Sequence, residues 1–234
     1  SSPDTWTGFS VSAPTLWSDV ETLNVAALDT LLFGGNDTFT SNVVFNPSGG
    51  GGHSDAFDGY GGNDVFNMQH SEGDDLVKGD TGNDTMNFGG DITAKDTVDG
   101  GSGTDTLTLS GNYASGVIFG AHTLTNVEKI VVGAGNDYKL VTNDATVASG
   151  ATLTVNGSNL VTGDHLVFDG SAEKNGKFTI TGGVSRDTLT GGASIDRLTG
   201  GGGNDVLKGG RGGDLLNGGD GNDQMLGGAG DDNM

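Results

Sequence analysis

The chain has 234 residues, 46 of them glycine, with 3 prolines, no cysteine and a formal net charge of −21 at pH 7. Glycine at this level without proline or a Gly-X-Y triplet excludes collagen and a Gly/Pro linker, the lack of cysteine excludes disulfides and thiolate metal sites, and 10 Lys plus Arg are too few to neutralise nucleic-acid phosphates. With 32% hydrophobic residues the composition leans toward disorder, so a fold requires a repeat that makes do with few apolar side chains.

The acid is almost all aspartate. Glutamate stands only at positions 21, 72, 128 and 173, leaving 27 Asp, and the shorter carboxylate is the one that folds back onto its own turn or onto a metal held there. That balance points to a cationic partner. Residues 1–9 have neither the basic nor the apolar part of a secretory signal, and no run reaches the ~18 apolar residues of a membrane span.

In chain order, residues 1–32 read as an N-terminal cap. Ser18-x-x-Glu21 resembles a capping box, Val20, Leu23, Ala27 and Leu31 fall near helical spacing, Gly34 follows, and Trp6 and Trp17 are expected to pack there. Residues 33–108 repeat a Gly/Asn/Asp turn: FGGNDTFT (33–40), GGGHSDAFD (50–58), GYGGNDVFN (59–67), GDTGNDTMN (79–87) and GGSGTDTLT (100–108). Asp37 and Asp55 are 18 apart, as are Phe39 and Phe57, which predicts one full coil of a solenoid. Asp64 to Asp75 is eleven and Asp84 to Asp96 twelve, which predicts outward bulges that leave Val77 and Val98 inside.

Residues 109–181 carry short alternating runs: VIF (117–119), VEKIVV (127–132), YKLVT (138–142), TLTV (152–155), LVF (166–168) and KFTIT (177–181). These are strand signals. Apart from GAGNDYKLV (133–141), one isolated turn around Asp137, their joints lack the repeat, so a metal-poor β-solenoid or a β-sandwich-like spacer is expected between two repeat blocks.

Residues 182–234 are the regular block. Asp187, Asp196, Asp205, Asp214, Asp223 and Asp232 follow one another at nine-residue intervals, each with Leu or Met two residues later and a glycine pair four and five residues earlier. A fixed period is the signature of a solenoid. Six residues rich in Gly, Asn and Asp form a tight turn, and the last three form a short strand that sends one apolar side chain inward. Two units make an 18-residue coil. One buried Leu or Met contributes about 1.5–3 kcal/mol against about 1–2 kcal/mol of backbone entropy for each ordered residue, so nine residues need a second source of stability. Stacking brings Asp205 close to Asp187 and Asp223, and Asp214 close to Asp196 and Asp232, roughly 4.8 Å apart as neighbouring strands are. A divalent cation between coils removes that repulsion, and an all-oxygen shell of carboxylates and turn carbonyls suits Ca²⁺ better than Mg²⁺.

The unit G-G-x-x-x-D-x-(Leu/Met)-x, complete in GGGGNDVLK (200–208) and GGDGNDQML (218–226), resembles the repeats-in-toxin family, the hemolysin-type calcium-binding nonapeptide. The resemblance implies an all-β, right-handed parallel β-roll or β-solenoid in two calcium-binding blocks, with the spacer between them, in a secreted or cell-surface bacterial protein exported by type I machinery. By that resemblance the calcium ligands are Asp187, Asp196, Asp205, Asp214, Asp223 and Asp232, with carbonyls of turn glycines such as Gly191, Gly200, Gly202, Gly209 and Gly218. In the less regular turns they are Asp37, Asp55, Asp64, Asp75, Asp84, Asp96, Asp105 and Asp137. Ser185 and Ser194 stand where the family has its fourth-position glycine, which marks the entry turns as weaker sites.

Enzymatic signals are absent from the sequence: there is no H-E-x-x-H and no G-x-S-x-G, and the histidines at 53, 70, 122 and 165 are scattered. The glycine strings lack the Lys-Ser/Thr of a phosphate loop. A disordered acidic linker does not explain an apolar residue at a fixed place in the period. The expected function is therefore a calcium-binding region that folds on Ca²⁺ binding outside the cell. The chain begins without Met and ends inside a repeat, as a piece of a larger protein does. Two other expectations stay open, the accessory region of a secreted hydrolase, epimerase or toxin, and an adhesin, surface-layer or matrix module that self-associates with calcium.

Overall fold

In the computed structural model, which describes residues 38–40, 56–68 and 73–234, the chain winds into a parallel β-solenoid. The cap expected over 1–32, and the candidate ligands Asp37 and Asp55, lie outside the described residues. Glycine-rich turns leave at most six residues for any strand, and such short strands are held only by pairing with the coils above and below. Nine strands form one continuous parallel sheet: Thr38–Thr40, Val65–Met68, Thr85–Phe88, Thr106–Leu109, Lys129–Val132, Thr152–Asn156, Lys177–Thr181, Arg197–Gly202 and Leu215–Asp220. Between them the chain visits a four-stranded sheet (Ala56–Asp58, Leu76–Lys78, Thr97–Asp99, Leu124–Thr125) and then a six-stranded one (Tyr113–Ile118, Tyr138–Val141, Leu166–Asp169, Thr188–Thr190, Val206–Arg211, Gln224–Ala229). The long sheet runs unbroken through 109–181, so the middle segment is solenoid and not a sandwich. No helix among the described residues is long and apolar enough to cross a membrane.

The period-2 alternation of the strands places one column of apolar residues inside and mostly threonines and asparagines outside, with Ile118, Leu215 and Leu226 exposed on the outer face. In the long sheet Phe66, Met86, Leu107, Ile130, Val155, Ile180, Leu198 and Leu216 stack in register and are buried. A second inward column holds Met68, Phe88, Leu109 and Val132. In the C-terminal strands that second place is Gly200 and Gly218. The apolar contribution of this sheet to each coil is therefore roughly halved from one end of the stack to the other, at about 1.5–3 kcal/mol for each side chain lost. Val77 and Val98 are fully buried in the shorter sheet, as the spacing predicts.

One spacing misleads. Phe39 pairs with Phe66, not with Phe57, and Phe57 pairs with Val77 in the other sheet. The 18-residue interval from Phe39 to Phe57 is thus not one coil. Spacing alone does not count the residues that an irregular turn absorbs.

In the middle coils the position of the repeat's aspartate is taken by apolar side chains. On one edge Leu153 and Phe178 follow one another, and the Phe178 N–H donates to Asp196 Oδ1 at 2.7 Å. On the other edge Tyr138 and Leu166 do the same, and the Leu166 N–H donates to Asp187 Oδ1 at 2.7 Å. All four are buried. Phe178 meets Phe168 edge-on with ring centroids 5.1 Å apart, and the Tyr138 hydroxyl donates to the Leu109 carbonyl at 3.1 Å. Packing replaces metal there. Phe178→Ala is expected to cost about 3–5 kcal/mol, read by denaturant unfolding in chelator, and an unchanged midpoint would show that these coils are held by something else.

Candidate metal centre

The site is built by the turn. In the turns 59–64, 79–84, 100–105, 200–205, 209–214, 218–223 and 227–232 the second and fourth residues have φ between +58° and +145°, a conformation that glycine takes without strain. The second place is filled by Tyr60 in the first of these turns and by Asp80 in the next, whose φ of 58° and 63° fall in the small left-handed region open to L residues. This double left-handed turn tucks the sixth residue, always Asp, under the turn's first glycine. A Cβ added at Gly200 or Gly209 would overlap the carboxylate of its own turn, Asp205 or Asp214, and lie 2.5 Å from the carbonyl oxygen of the next coil's glycine, Gly218 or Gly227. Gly191 stands in the same relation to Asp196, and Gly218 to Asp223, whereas Gly202 packs on the backbone of Val184.

Each carboxylate is used on one side only. Oδ1 accepts the backbone N–H of the acid one coil back: Asp205 from Asp187, Asp214 from Asp196, Asp223 from Asp205 and Asp232 from Asp214, at 2.8–2.9 Å. Upstream, Asp84, Asp96 and Asp105 accept in the same way from Asp64, Asp75 and Asp84. The expected stacking of the aspartates is therefore present in both blocks. The other oxygen, Oδ2, of Asp84, Asp105, Asp205 and Asp214 is buried with no hydrogen-bond partner, in residues at most 1% exposed. An unpaired buried carboxylate oxygen facing a carbonyl costs several kcal/mol. A cation is the group that this donor-free oxygen set fits.

The entry turns differ. Gly183 and Gly192 do not take the left-handed conformation, and their N–H groups donate to Oδ2 of Asp187 and Asp196 at 2.6 Å. Asp96 is closed similarly by the Thr93 N–H at 2.6 Å. These three carboxylates are satisfied by backbone, and two of their turns are those that carry Ser185 and Ser194. Asp137 is one residue ahead of the acid position, which Tyr138 occupies, and it pairs at the half-exposed surface with His165 Nδ1 at 3.0 Å. Two acids that the motif does not show are placed by the fold. Glu128 stands in the acid column after Asp105, and its Oε2 accepts the Asp105 N–H at 2.8 Å. Its signal in the sequence is an acid two residues before an inward apolar residue, Ile130, without the glycine pair. Glu173 is fully buried and accepts from the backbone N–H groups of Lys174, Asn175 and Gly176, so it is a loop anchor.

Among the described residues no three His, Cys, Asp or Glu side chains converge as a metal cluster. Carboxylates come in pairs along each column, and the rest of a six- to eight-oxygen shell has to come from turn carbonyls, the hard-ligand set of Ca²⁺. The family model of the RTX calcium-binding nonapeptide repeat matches the chain in four copies, at residues 71–92, 94–111, 181–216 and 199–234. The matched stretches form an RTX-type calcium-binding parallel β-roll. The matched repeats leave out 112–180, where the acid positions of the β-roll are held by Glu128 and then by apolar residues, and the structure adds one further turn of the same conformation at 59–64. No curated protein matches the chain in sequence.

Burial pushes the carboxyls of Asp105, Asp187 and Asp196 up to about 6, and it raises those of Asp84, Asp205 and Asp214 as well. A carboxyl raised in the folded state favours folding while it is protonated, and that contribution is lost as pH climbs from its ordinary value of 3.8 through about 6. Metal-free β-roll is therefore expected to gain β-structure on acidification from about pH 7.5 to about pH 5, and calcium to bind more weakly over that same interval as protons compete. Far-UV circular dichroism in chelator at the two pH values checks the first statement, and a loss of signal toward acid contradicts it.

Proposed function

We propose that this β-roll is a segment of a larger secreted or cell-surface bacterial protein, that it has no catalysis of its own, and that its repeat blocks order when the chain meets extracellular calcium after export by type I machinery. The observation that carries this reading is the set of buried, unpartnered Oδ2 atoms of Asp84, Asp105, Asp205 and Asp214. Bound calcium supplies the positive charge that these oxygens lack. The residues do the rest: the Oδ1 hydrogen bonds orient each carboxylate, the first glycine of each turn leaves room for it, and the inward Leu or Met excludes water. Extracellular modules bind Ca²⁺ at about 10⁻⁴–10⁻³ M, far above cytosolic levels, so the repeats stay open inside the cell, and binding to the native state alone folds them outside.

A calcium titration followed by far-UV circular dichroism and sedimentation velocity, with magnesium as control, tests this. A cooperative gain of β-signal and compaction near millimolar calcium is expected, weakened at least several-fold by Asp205→Ala with Asp223→Ala and much less by Asp187→Ala, whose carboxylate the backbone already satisfies. A chain that is fully folded in chelator and indifferent to calcium overturns the proposal.

A further inference from the structure

The enlarged coil between the two sheet systems holds a second kind of acid. From Thr106–Leu109 the chain starts the six-stranded sheet at Tyr113–Ile118, closes the four-stranded one at Leu124–Thr125 and returns to the long sheet at Lys129–Val132. That return sets Glu128 above Asp105, where every other open turn finds an aspartate. Three features of the open C-terminal turns recur at this step. Glu128 Oε2 accepts the Asp105 N–H at 2.8 Å, as Asp223 Oδ1 does from Asp205 at 2.9 Å. Asp105 Oδ2 is buried without a partner. A Cβ at Gly100 would overlap the Asn126 carbonyl oxygen and lie 2.8 Å from Asp105 Oδ2, so a carbonyl of the next coil and that oxygen flank the same glycine, as the Gly218 carbonyl and Asp205 Oδ2 do at Gly200. Asn126 has φ +50°, one place earlier in the turn than the left-handed glycines of the regular turns. The lysine ion pairs among the described residues are Lys95–Asp74 and Lys174–Asp144, neither of which reaches this step.

We propose that Asp105, the Asn126 carbonyl and Glu128 form a calcium site that closes the upstream block, with a glutamate in place of the repeat's aspartate. The longer side chain spans a turn that has no glycine pair. Asp105 belongs to the last upstream match, which ends at 111, whereas Asn126 and Glu128 lie beyond it, so this half of the site is outside the nonapeptide pattern. It joins the upstream repeats to the apolar middle coils, so its ion would couple ordering of 59–108 to a part of the solenoid that is held by packing. The inference rests on the calcium reading above.

The test uses the whole chain and Ca²⁺ alone as probe. Bound ions are counted by equilibrium dialysis, and amide hydrogen exchange is followed by region for the wild type and Glu128→Gln, in saturating calcium and in chelator. The variant is expected to bind one ion fewer and to lose protection at least tenfold around 100–108 and 126–128 in calcium, with 200–234 unchanged as an internal control and with no difference from wild type in chelator. An unchanged ion count with unchanged protection overturns the site. So does a loss of protection in chelator, which would make Glu128 a packing residue. If the wild type itself binds no calcium, the reading on which this rests fails, and the two failures are told apart by the wild-type count.

Discussion

Removing calcium is expected to split the molecule: in chelator the amides of 129–181 keep their protection from hydrogen exchange while those of 200–234 exchange with little or none. The middle coils bury Ile130 and Val132, Leu153 and Val155, and Phe178 and Ile180 in the long sheet, with Tyr138, Leu140, Leu166 and Phe168 opposite. Two or more apolar side chains from each strand, at about 1.5–3 kcal/mol apiece, suffice to order short strands of this kind. The C-terminal coils bury one for each strand, Leu189, Leu198, Leu207 and Leu216, and they also carry Asp205 and Asp214 as buried carboxylates with unpaired oxygens. Without a counter-charge the balance turns against them. The 59–108 block, with its fuller long-sheet core of Phe66, Met68, Met86, Phe88, Leu107 and Leu109, should lie between the two. Hydrogen exchange with mass spectrometry resolves the regions, and a uniform loss or a uniform retention of protection across them would refute this division.

The second large effect is steric. Gly209→Ala should raise the calcium needed for half-folding by tenfold or more, because the added methyl overlaps the Asp214 carboxylate and the Gly227 carbonyl oxygen. The carboxylate can swing away only by leaving the ligand position, and the carbonyl belongs to backbone that the next coil fixes. Overpacking of this sort costs about 1–3 kcal/mol before any loss of binding is added. Gly150→Ala is the control. It imposes a left-handed strain at φ +78° but meets nothing within 4 Å, so its cost, about 1–2 kcal/mol, should be the same with and without calcium. Calcium titrations of both variants followed by circular dichroism decide the matter, and equal midpoints for Gly209→Ala and the wild type would show that the turn does not hold the ion in this way.

Much of this was legible in the residues. The nine-residue spacing from Asp187 to Asp232 defines the coil, and the observed registers pair Leu198 with Leu216 and Leu207 with Met225 accordingly. Val77 and Val98 are inside as their neighbours' spacing implies. The serines at 185 and 194 marked the entry turns as different, but not that a backbone N–H takes the second carboxylate oxygen there. Where the period drifts, counting failed. Phe39 joins Phe66 and not Phe57, because Phe57 belongs to the other sheet, where it pairs with Val77.

What the sequence determined by itself is the unit: a tight Gly/Asp turn, a short strand and one inward apolar residue, repeated at a length that fixes an 18-residue coil. These are local properties, set by glycine's backbone freedom, the reach of aspartate and the period-2 strand. Only the tertiary structure decided which aspartates remain open to a cation and which are closed, that Leu153, Phe178, Tyr138 and Leu166 take the acid positions in the middle, and that Glu128 belongs to an acid column. Each of those depends on the partner one coil away, 18 to 28 residues distant in the chain, and stacking register is a property of the packed solenoid that no single turn encodes.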